Sequence, residues 1–210
     1  MEEVLKLLEN GDKHKAQGRQ DNALASYIKA INALSALEEQ SQILPKEHYR
    51  TYFLAELRFC DSARIDENSS DIIKIYRKLL DTPYNRSLDM IVCLERIGDI
   101  LFKFGKYEKA LEYYEKGTYY VIKGENEHSP SDYVFSRARV NNYERISQAL
   151  YKLRRYDEAL EVMHMTRDII NQGIKQGHPL FYEAQAIISD IDKTSKMISQ
   201  FNKIFKEKAI

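Results

Sequence analysis

The chain has 210 residues, 43% hydrophobic and 30% charged, with 32 Lys and Arg against 32 Asp and Glu. One large domain or two small ones (~100–200 residues each) fit that length; the composition excludes a disordered chain and a membrane protein, and zero net charge supplies no global field toward nucleic acid or an anionic bilayer. Eight Gly, four Pro, fifteen Tyr and no Trp leave room for long helices and little for tight hairpins.

The start, Met1 to Lys6, turns charged too soon for a secretory leader, and the longest apolar runs, such as Met90 to Leu94, fall far short of the ~20 residues of a membrane span. A cytoplasmic protein is expected. Apolar residues recur at helical spacing along the chain, and no stretch alternates as a strand does, so the fold is read as all-α. The first half divides into helices at about 2–17, 20–43, 46–66 and 70–81, broken by Gly18, by Leu44-Pro45 and by Asn68 to Asp71. In the second half Met90, Leu94, Ile97, Leu101 and Phe104 make one apolar stripe that Gly105 ends. A second stripe follows from Tyr107 to Val121, and Lys123 to His128 reads as a polar loop. Ser129-Pro130-Ser131-Asp132 combines an N-cap hydroxyl, a proline for the first turn and an acid, which predicts a helix from there to about Leu153. Further helices are expected at about 157–176 and, beyond Gly177-His178-Pro179, from Leu180 to about Lys206. Short connections make neighbouring helices antiparallel.

An internal repeat is visible. Gly98 is followed 12 residues later by Ala110, 16 later by Tyr114 and 19 later by Gly117; Gly11, Ala23, Tyr27 and Ala30 keep those offsets, and Ser147, Ala159, Met163 and Thr166 keep them again. Small side chains at facing positions let two helices of a hairpin approach closely. These segments resemble tetratricopeptide repeats, best in Leu94-x2-Ile97-Gly98-x2-Leu101 with Gly105 to Tyr114, next in Gly11 with Gly18 to Tyr27, and third in Leu153 to Glu161, where Arg155 stands for the usual turn glycine. A unit over 46–83 is inferred from spacing, with Phe59 as its glycine equivalent. The unit starts lie farther apart than the 34 residues of a standard repeat, so the helices are elongated.

The resemblance implies a right-handed superhelical solenoid of antiparallel helix hairpins forming a single domain. Its units are taken as 2–43, 46–83, 86–124 and 130–176, and a C-terminal helix at 179–207 caps it, with Tyr182, Ile187, Ile191, Ile198 and Phe205 inward. It also implies that the first helix of each hairpin lines a concave groove, through positions three before and one after the glycine equivalent. Those are Leu8 and Asp12, Glu56 and Cys60, Glu95 and Asp99, and Glu144 and Gln148, with Arg96 and Arg145 beside the glutamates and Phe102, Lys103, Tyr151 and Lys152 one turn on. Acids interleaved with aromatics suit a peptide offering basic or amine groups and an apolar anchor. Glu95, Asp99 and Lys103 equally fit a solvated i,i+4 ladder. Capture of a partner's C-terminal carboxylate, which in the family uses Lys and Asn at the inner positions, is disfavoured.

Phosphate-binding, zincin and nucleophile-elbow motifs are absent from the sequence, so no catalytic residue, cofactor or metal site is expected. His14, His48, His128, His164 and His178 are scattered, and Cys60 and Cys93 read as reduced thiols in helices. The tyrosines fit hairpin packing better than base stacking, although Arg137, Arg139, Arg145, Arg154 and Arg155 form one basic region that keeps a nucleic-acid or acidic partner open. The expected function is a non-catalytic module that binds a peptide or helix of a partner as adaptor, chaperone or peptide-controlled regulator. The alternatives are a structural subunit of a homo- or hetero-oligomer, using its convex face or last helix, and an enzyme with a diffuse site.

Overall fold

A computed structural model describes residues 1–41, 46–63, 69–81, 86–127, 134–178 and 185–208. Among them are nine helices and no strand: α1 (Glu2–Ala16), α2 (Gln20–Ser41), α3 (Lys46–Ser62), α4 (Ser69–Leu80), α5 (Ser87–Lys103), α6 (Tyr107–Glu127), α7 (Val134–Lys152), α8 (Tyr156–Lys175) and α9 (Gln185–Lys208). The all-α reading holds. All four prolines, His128 and the expected helix start at Ser129 lie outside the described residues, as does the Leu180–Tyr182 stretch.

Residue contacts divide the chain at Arg86 into two compact units, 1–86 and 87–210, where the sequence reading has one domain. The division has a pattern behind it. Gly11 and Gly98, Gly18 and Gly105, Ala23 and Ala110, and Tyr27 and Tyr114 are each 87 residues apart, so α5 to α8 repeat the plan of α1 to α4. Each unit therefore closes its own two hairpins.

In the first unit Val4 and Leu8 of α1 meet Ala23, Tyr27, Ala30 and Leu34 of α2 and Ala55 of α3, all buried. Gly11 is the closest approach: a Cβ there would overlap the Tyr27 ring. In the second unit Gly98 stands in the same relation to Tyr114. The small-residue offsets thus mark true hairpin contacts. A third such contact overturns the polar loop expected at Lys123 to His128. Helix α6 continues through Glu127, and Gly124 is buried because the Phe135 ring of α7 lies where its Cβ would be. A glycine that reads as a turn residue here admits a ring against a helix backbone.

Helices α1, α5 and α8 end at Gly18, Gly105 and Gly177 with φ of 71°, 71° and 74°. Each makes the same pair of backbone bonds, as when Gly105 N–H donates to Phe102 O at 2.9 Å and Lys106 N–H to Leu101 O at 3.0 Å, which satisfies carbonyls that the helix end leaves open. Helix α7 ends the same way on Arg154 at φ 62°, with Arg154 N–H to Tyr151 O at 3.1 Å and Arg155 N–H to Leu150 O at 2.9 Å. Arg154, and not Arg155, is therefore the residue in the turn-glycine position.

Helix α9 covers α8 through Ile187 and Ile188 against Val140 and Ile170, and an Arg167 Nη1 to Asp192 Oδ1 pair at 3.4 Å adds a polar contact. Ile191 and Ile198 are buried while Lys193 and Lys196 are exposed, as expected of a helix that closes a stack. The side chains of Phe205 and of residues 201–208 generally lie outside the description. Cys60 and Cys93 are both buried, and no helix is long and apolar enough to cross a membrane among the described residues.

Candidate functional site

In three of the four hairpins the first helix carries an aspartate directly after its small contact residue, and the tyrosine that packs there reaches it. Tyr27 Oη donates to Asp12 Oδ1 at 2.8 Å, Tyr76 Oη to Asp61 Oδ1 at 2.9 Å and Tyr114 Oη to Asp99 Oδ1 at 3.0 Å, always across 15 residues. A buried tyrosine ring needs a partner for its hydroxyl, and the carboxylate at the helix edge supplies it. The fourth hairpin has Gln148 and Met163 at that separation; a thioether needs no acceptor.

The middle pair corrects the repeat register. Because Asp61 corresponds to Asp12 and Asp99, the residue equivalent to Gly11 and Gly98 is Cys60 and not Phe59. Leu57 then occupies the inner position held by Glu95 and Glu144, and Glu56 falls on a core-type position level with Leu94. Its side chain is accordingly only 7% exposed, and its Oε1 accepts from Lys78 Nζ of α4 at 3.0 Å.

An arginine on the first helix of the following hairpin completes the arrangement, 46 residues after the aspartate in both units. Arg58 Nη2 lies 3.2 Å from Asp12 Oδ2. Arg145 grips Asp99 at two points, Nε to Oδ1 at 2.8 Å and Nη2 to Oδ2 at 3.2 Å, while its Nη1 donates to Asn141 O at 3.2 Å and lies 3.6 Å from Glu95 Oε2. Arg96 adds a longer contact to Asp99 at 3.8 Å. Asp99 is thus bound from the neighbouring helix, which an i,i+4 ladder along α5 does not provide. Burial pushes the Glu95 carboxyl above the usual range against the pull of Arg145, and its Oε1 is buried with no hydrogen-bond partner. Burial, then the charge and hydrogen bond of Asp99, drive the Tyr114 hydroxyl far above the usual phenol value. Burial works against the Arg145 cation, but the Asp99 bonds and the Glu95 charge outweigh it and raise its pKa. At neutral pH Tyr114 is therefore a fixed donor and Arg145 a fixed cation, a cluster suited to holding shape and charge.

Beside it on α7, Gln148 Nε2 donates to Glu144 Oε1 at 3.3 Å, and Gln148 is exposed. Phe102 packs edge-on against Tyr107 at 5.1 Å and Tyr151 against Tyr156 at 5.5 Å, so both aromatics close their own hairpins. Tyr151 keeps 37% of its surface exposed, and Lys103 is exposed at the end of α5. The second unit thus brings Glu95, Arg96, Asp99, Glu144, Arg145, Gln148 and Tyr151 onto two adjacent helices, while Asp12 and Glu56 belong to the first unit. Sequence reasoning missed Asn142, whose Nδ2 donates at 2.7 Å to both Tyr114 O and Thr118 Oγ1 beside Gly117. The Asp–Tyr separation of 15 was the signal in the sequence that would have set the register. His164 is exposed, with Nδ1 3.0 Å from Arg167 Nη2, and among the described residues no three His, Cys, Asp or Glu side chains gather as a metal site would require.

The profile described as tetratricopeptide repeat matches residues 93–120, the segment that holds Gly98, Asp99, Gly105 and Tyr114. This segment is a tetratricopeptide repeat. Two crystal structures of a Podosopora anserina putative kinesin light chain with nearly identical TPR-like repeats share 12% identity with this chain. Their TM-scores are 0.61 and 0.58, with 97% and 95% of this chain and 96% and 94% of theirs covered. A crystal structure of MamA, 14% identical, has a TM-score of 0.52 over 94% of this chain and 96% of its own. No curated protein matches the sequence. The fold is that of tetratricopeptide-repeat proteins. Within the matched repeat, Asp99 is the residue that links one hairpin to the arginine of the next.

Proposed function

We propose that the protein is a cytoplasmic, non-catalytic interaction module that holds a peptide or helix of a partner protein against the α5–α7 face, as an adaptor, chaperone or peptide-controlled regulator. The observation that carries this reading is the Arg145 clasp. It ties a row of polar side chains on two helices into one arrangement before any partner arrives, so little ordering remains to oppose binding. Glu144 offers an acceptor for basic or amine groups of the partner, with Glu95 lending negative charge beneath it, and Tyr151 offers an aromatic anchor beside them. Asp12 and Arg58 repeat the charge pair in the first unit.

The test is to capture partners from lysate on the full chain, identify one, and titrate it in purified form. Glu144→Ala/Gln148→Ala/Tyr151→Ala leaves the Asp99 clasp in place and is expected to weaken binding at least ~10-fold, equivalent to ~1.4 kcal/mol. Unchanged affinity in that variant would reject the α5–α7 face as the binding surface.

A further inference from the structure

The turns that close the two hairpins of the second unit share a sequence pattern. Phe102-Lys103-Phe104-Gly105-Lys106-Tyr107 and Tyr151-Lys152-Leu153-Arg154-Arg155-Tyr156 both read aromatic, lysine, apolar, left-handed residue, cation, tyrosine. They also share an edge. Gly98 meets Tyr114 and Phe102 meets Tyr107, so α5 and α6 run antiparallel; Gly117 meets Asn142 and Gly124 meets Phe135, so α6 and α7 do too. Helices α5 and α7 therefore point the same way, the Asp99–Arg145 clasp holds them level, and both turns project from one end. The two turns hold five cations and no acid. Arg155 is tied to Glu158, but Lys106, Lys152 and Arg154 are exposed, and among the described residues none of their side chains has an ion-pair partner. The acids next in sequence, Glu108 and Asp157, stand one residue beyond the turns, at the starts of α6 and α8. Phe104 lies at the tip of its turn with 49% of its surface exposed, and a Cβ on Gly105 would meet nothing within 4 Å. At the equivalent tip Arg154 carries a cation on a left-handed backbone that glycine would hold without strain.

We propose that this edge docks on an anionic lipid surface, with the cations of both turns among the headgroups and Phe104 entering the interface between them. Each lysine or arginine brought within a Debye length of negative headgroups adds attraction, and an exposed aromatic ring flanked by lysines settles at headgroup depth. Shape favours a flat partner. Two protruding turn tips reach a plane together, whereas a peptide strand laid across them would bury little surface. Because the whole chain carries no net charge, the attraction is confined to this edge and sets the orientation of the molecule. The α5–α7 row then remains open to a protein partner.

The test is cosedimentation of the full chain with vesicles of phosphatidylcholine alone and of phosphatidylcholine mixed with phosphatidylserine, at low and high salt. The expected result is binding to the mixed vesicles only, reversed by high salt and weakened at least ~10-fold in Lys106→Gln/Lys152→Gln/Arg154→Gly. The chain has no Trp, so Phe104→Trp adds a single reporter, whose emission is expected to move to shorter wavelength with mixed vesicles and not with phosphatidylcholine. Polyglutamate and oligo(dT) are titrated in parallel; binding to either, with none to mixed vesicles, overturns the proposal and gives the edge to an acidic protein or to nucleic acid. No vesicle binding, equal binding to both vesicle types, or unchanged binding in the triple variant overturns it as well. If circular dichroism shows the triple variant unfolded, the Phe104→Trp emission decides, and an unshifted spectrum overturns the proposal. Glu144→Ala/Gln148→Ala is expected to bind vesicles as the native chain does, so this proposal and the α5–α7 reading fail separately.

Discussion

Tyr114 Oη donates a hydrogen bond to Asp99 Oδ1 at 3.0 Å, and the same carboxylate is gripped from α7 by Arg145. One side chain thus joins both helices of a hairpin to the first helix of the following hairpin. Removing the phenol hydroxyl with Tyr114→Phe deletes one hydrogen bond to a charged group and is expected to cost about 1–2 kcal/mol in urea unfolding. Asp99→Ala strands both Tyr114 and a half-buried arginine and is expected to cost about 2–3 kcal/mol, short of the ~3–5 kcal/mol for a fully buried pair because Asp99 remains one-third exposed. Equal losses for the two variants would show that Arg145 does not depend on Asp99.

Gly98 and Gly105 are both glycines of one hairpin, yet they are required for different reasons. A Cβ at Gly98 meets the Tyr114 ring, whereas Gly105 has open space and φ 71°. Gly98→Ala should therefore destabilise by about 1–3 kcal/mol of overpacking despite the ~1 kcal/mol gain in helix propensity, and it should change the near-ultraviolet dichroism of the displaced tyrosine. Gly105→Ala should cost about 1–2 kcal/mol through its left-handed backbone alone and leave that signal unchanged. A tyrosine signal altered by Gly105→Ala and not by Gly98→Ala would contradict the assignment.

Arg154 holds the left-handed conformation that Gly18, Gly105 and Gly177 hold elsewhere. Its backbone bonds are the same as theirs, so the strain comes from the side chain alone. Arg154→Gly should stabilise the chain, by up to about 1 kcal/mol, because relief of the left-handed penalty slightly exceeds the added freedom of the unfolded chain. Arg155→Gly should instead destabilise it, since Arg155 precedes α8 with φ −85° and pairs with Glu158. Opposite signs in thermal unfolding check the register directly.

These positions also show where sequence was sufficient. Gly11 with Tyr27 and Gly98 with Tyr114 could be read because a missing side chain at a fixed offset has one simple packing meaning. Position 60 does not read that way, since Cys60 is neither glycine nor alanine, and spacing alone places the unit one residue early, on Phe59. The Asp61–Tyr76 bond restores it and moves Glu56 from an expected groove position to a buried contact with Lys78. Gly124 failed for the opposite reason: a glycine among polar residues resembles a turn, and only the Phe135 ring of another helix shows that it is a contact. Arg145 was legible as a charged position on α7, but its partner Asp99 lies 46 residues away, a distance that local periodicity does not reach.

Glu95 gives the fold a pH dependence of known sign. Burial raises its pKa above the ordinary carboxylate value of 4.5, partly opposed by Arg145 and Arg96 and assisted by Asp99. The folded chain therefore holds this proton more tightly than the unfolded chain does. The stability it contributes is fully present below about 4.5 and is lost as pH rises through the folded value, leaving a partly desolvated charge at neutrality. Glu95→Gln removes that charge while Asp99 continues to hold Arg145. Relative to the native chain, the variant should gain stability as pH is raised above about 4.5 and level off once pH passes the folded value of Glu95, measured by urea unfolding at each pH. A difference that stays flat, or that turns against the variant with rising pH, would mean that the Arg145 attraction outweighs burial at Glu95.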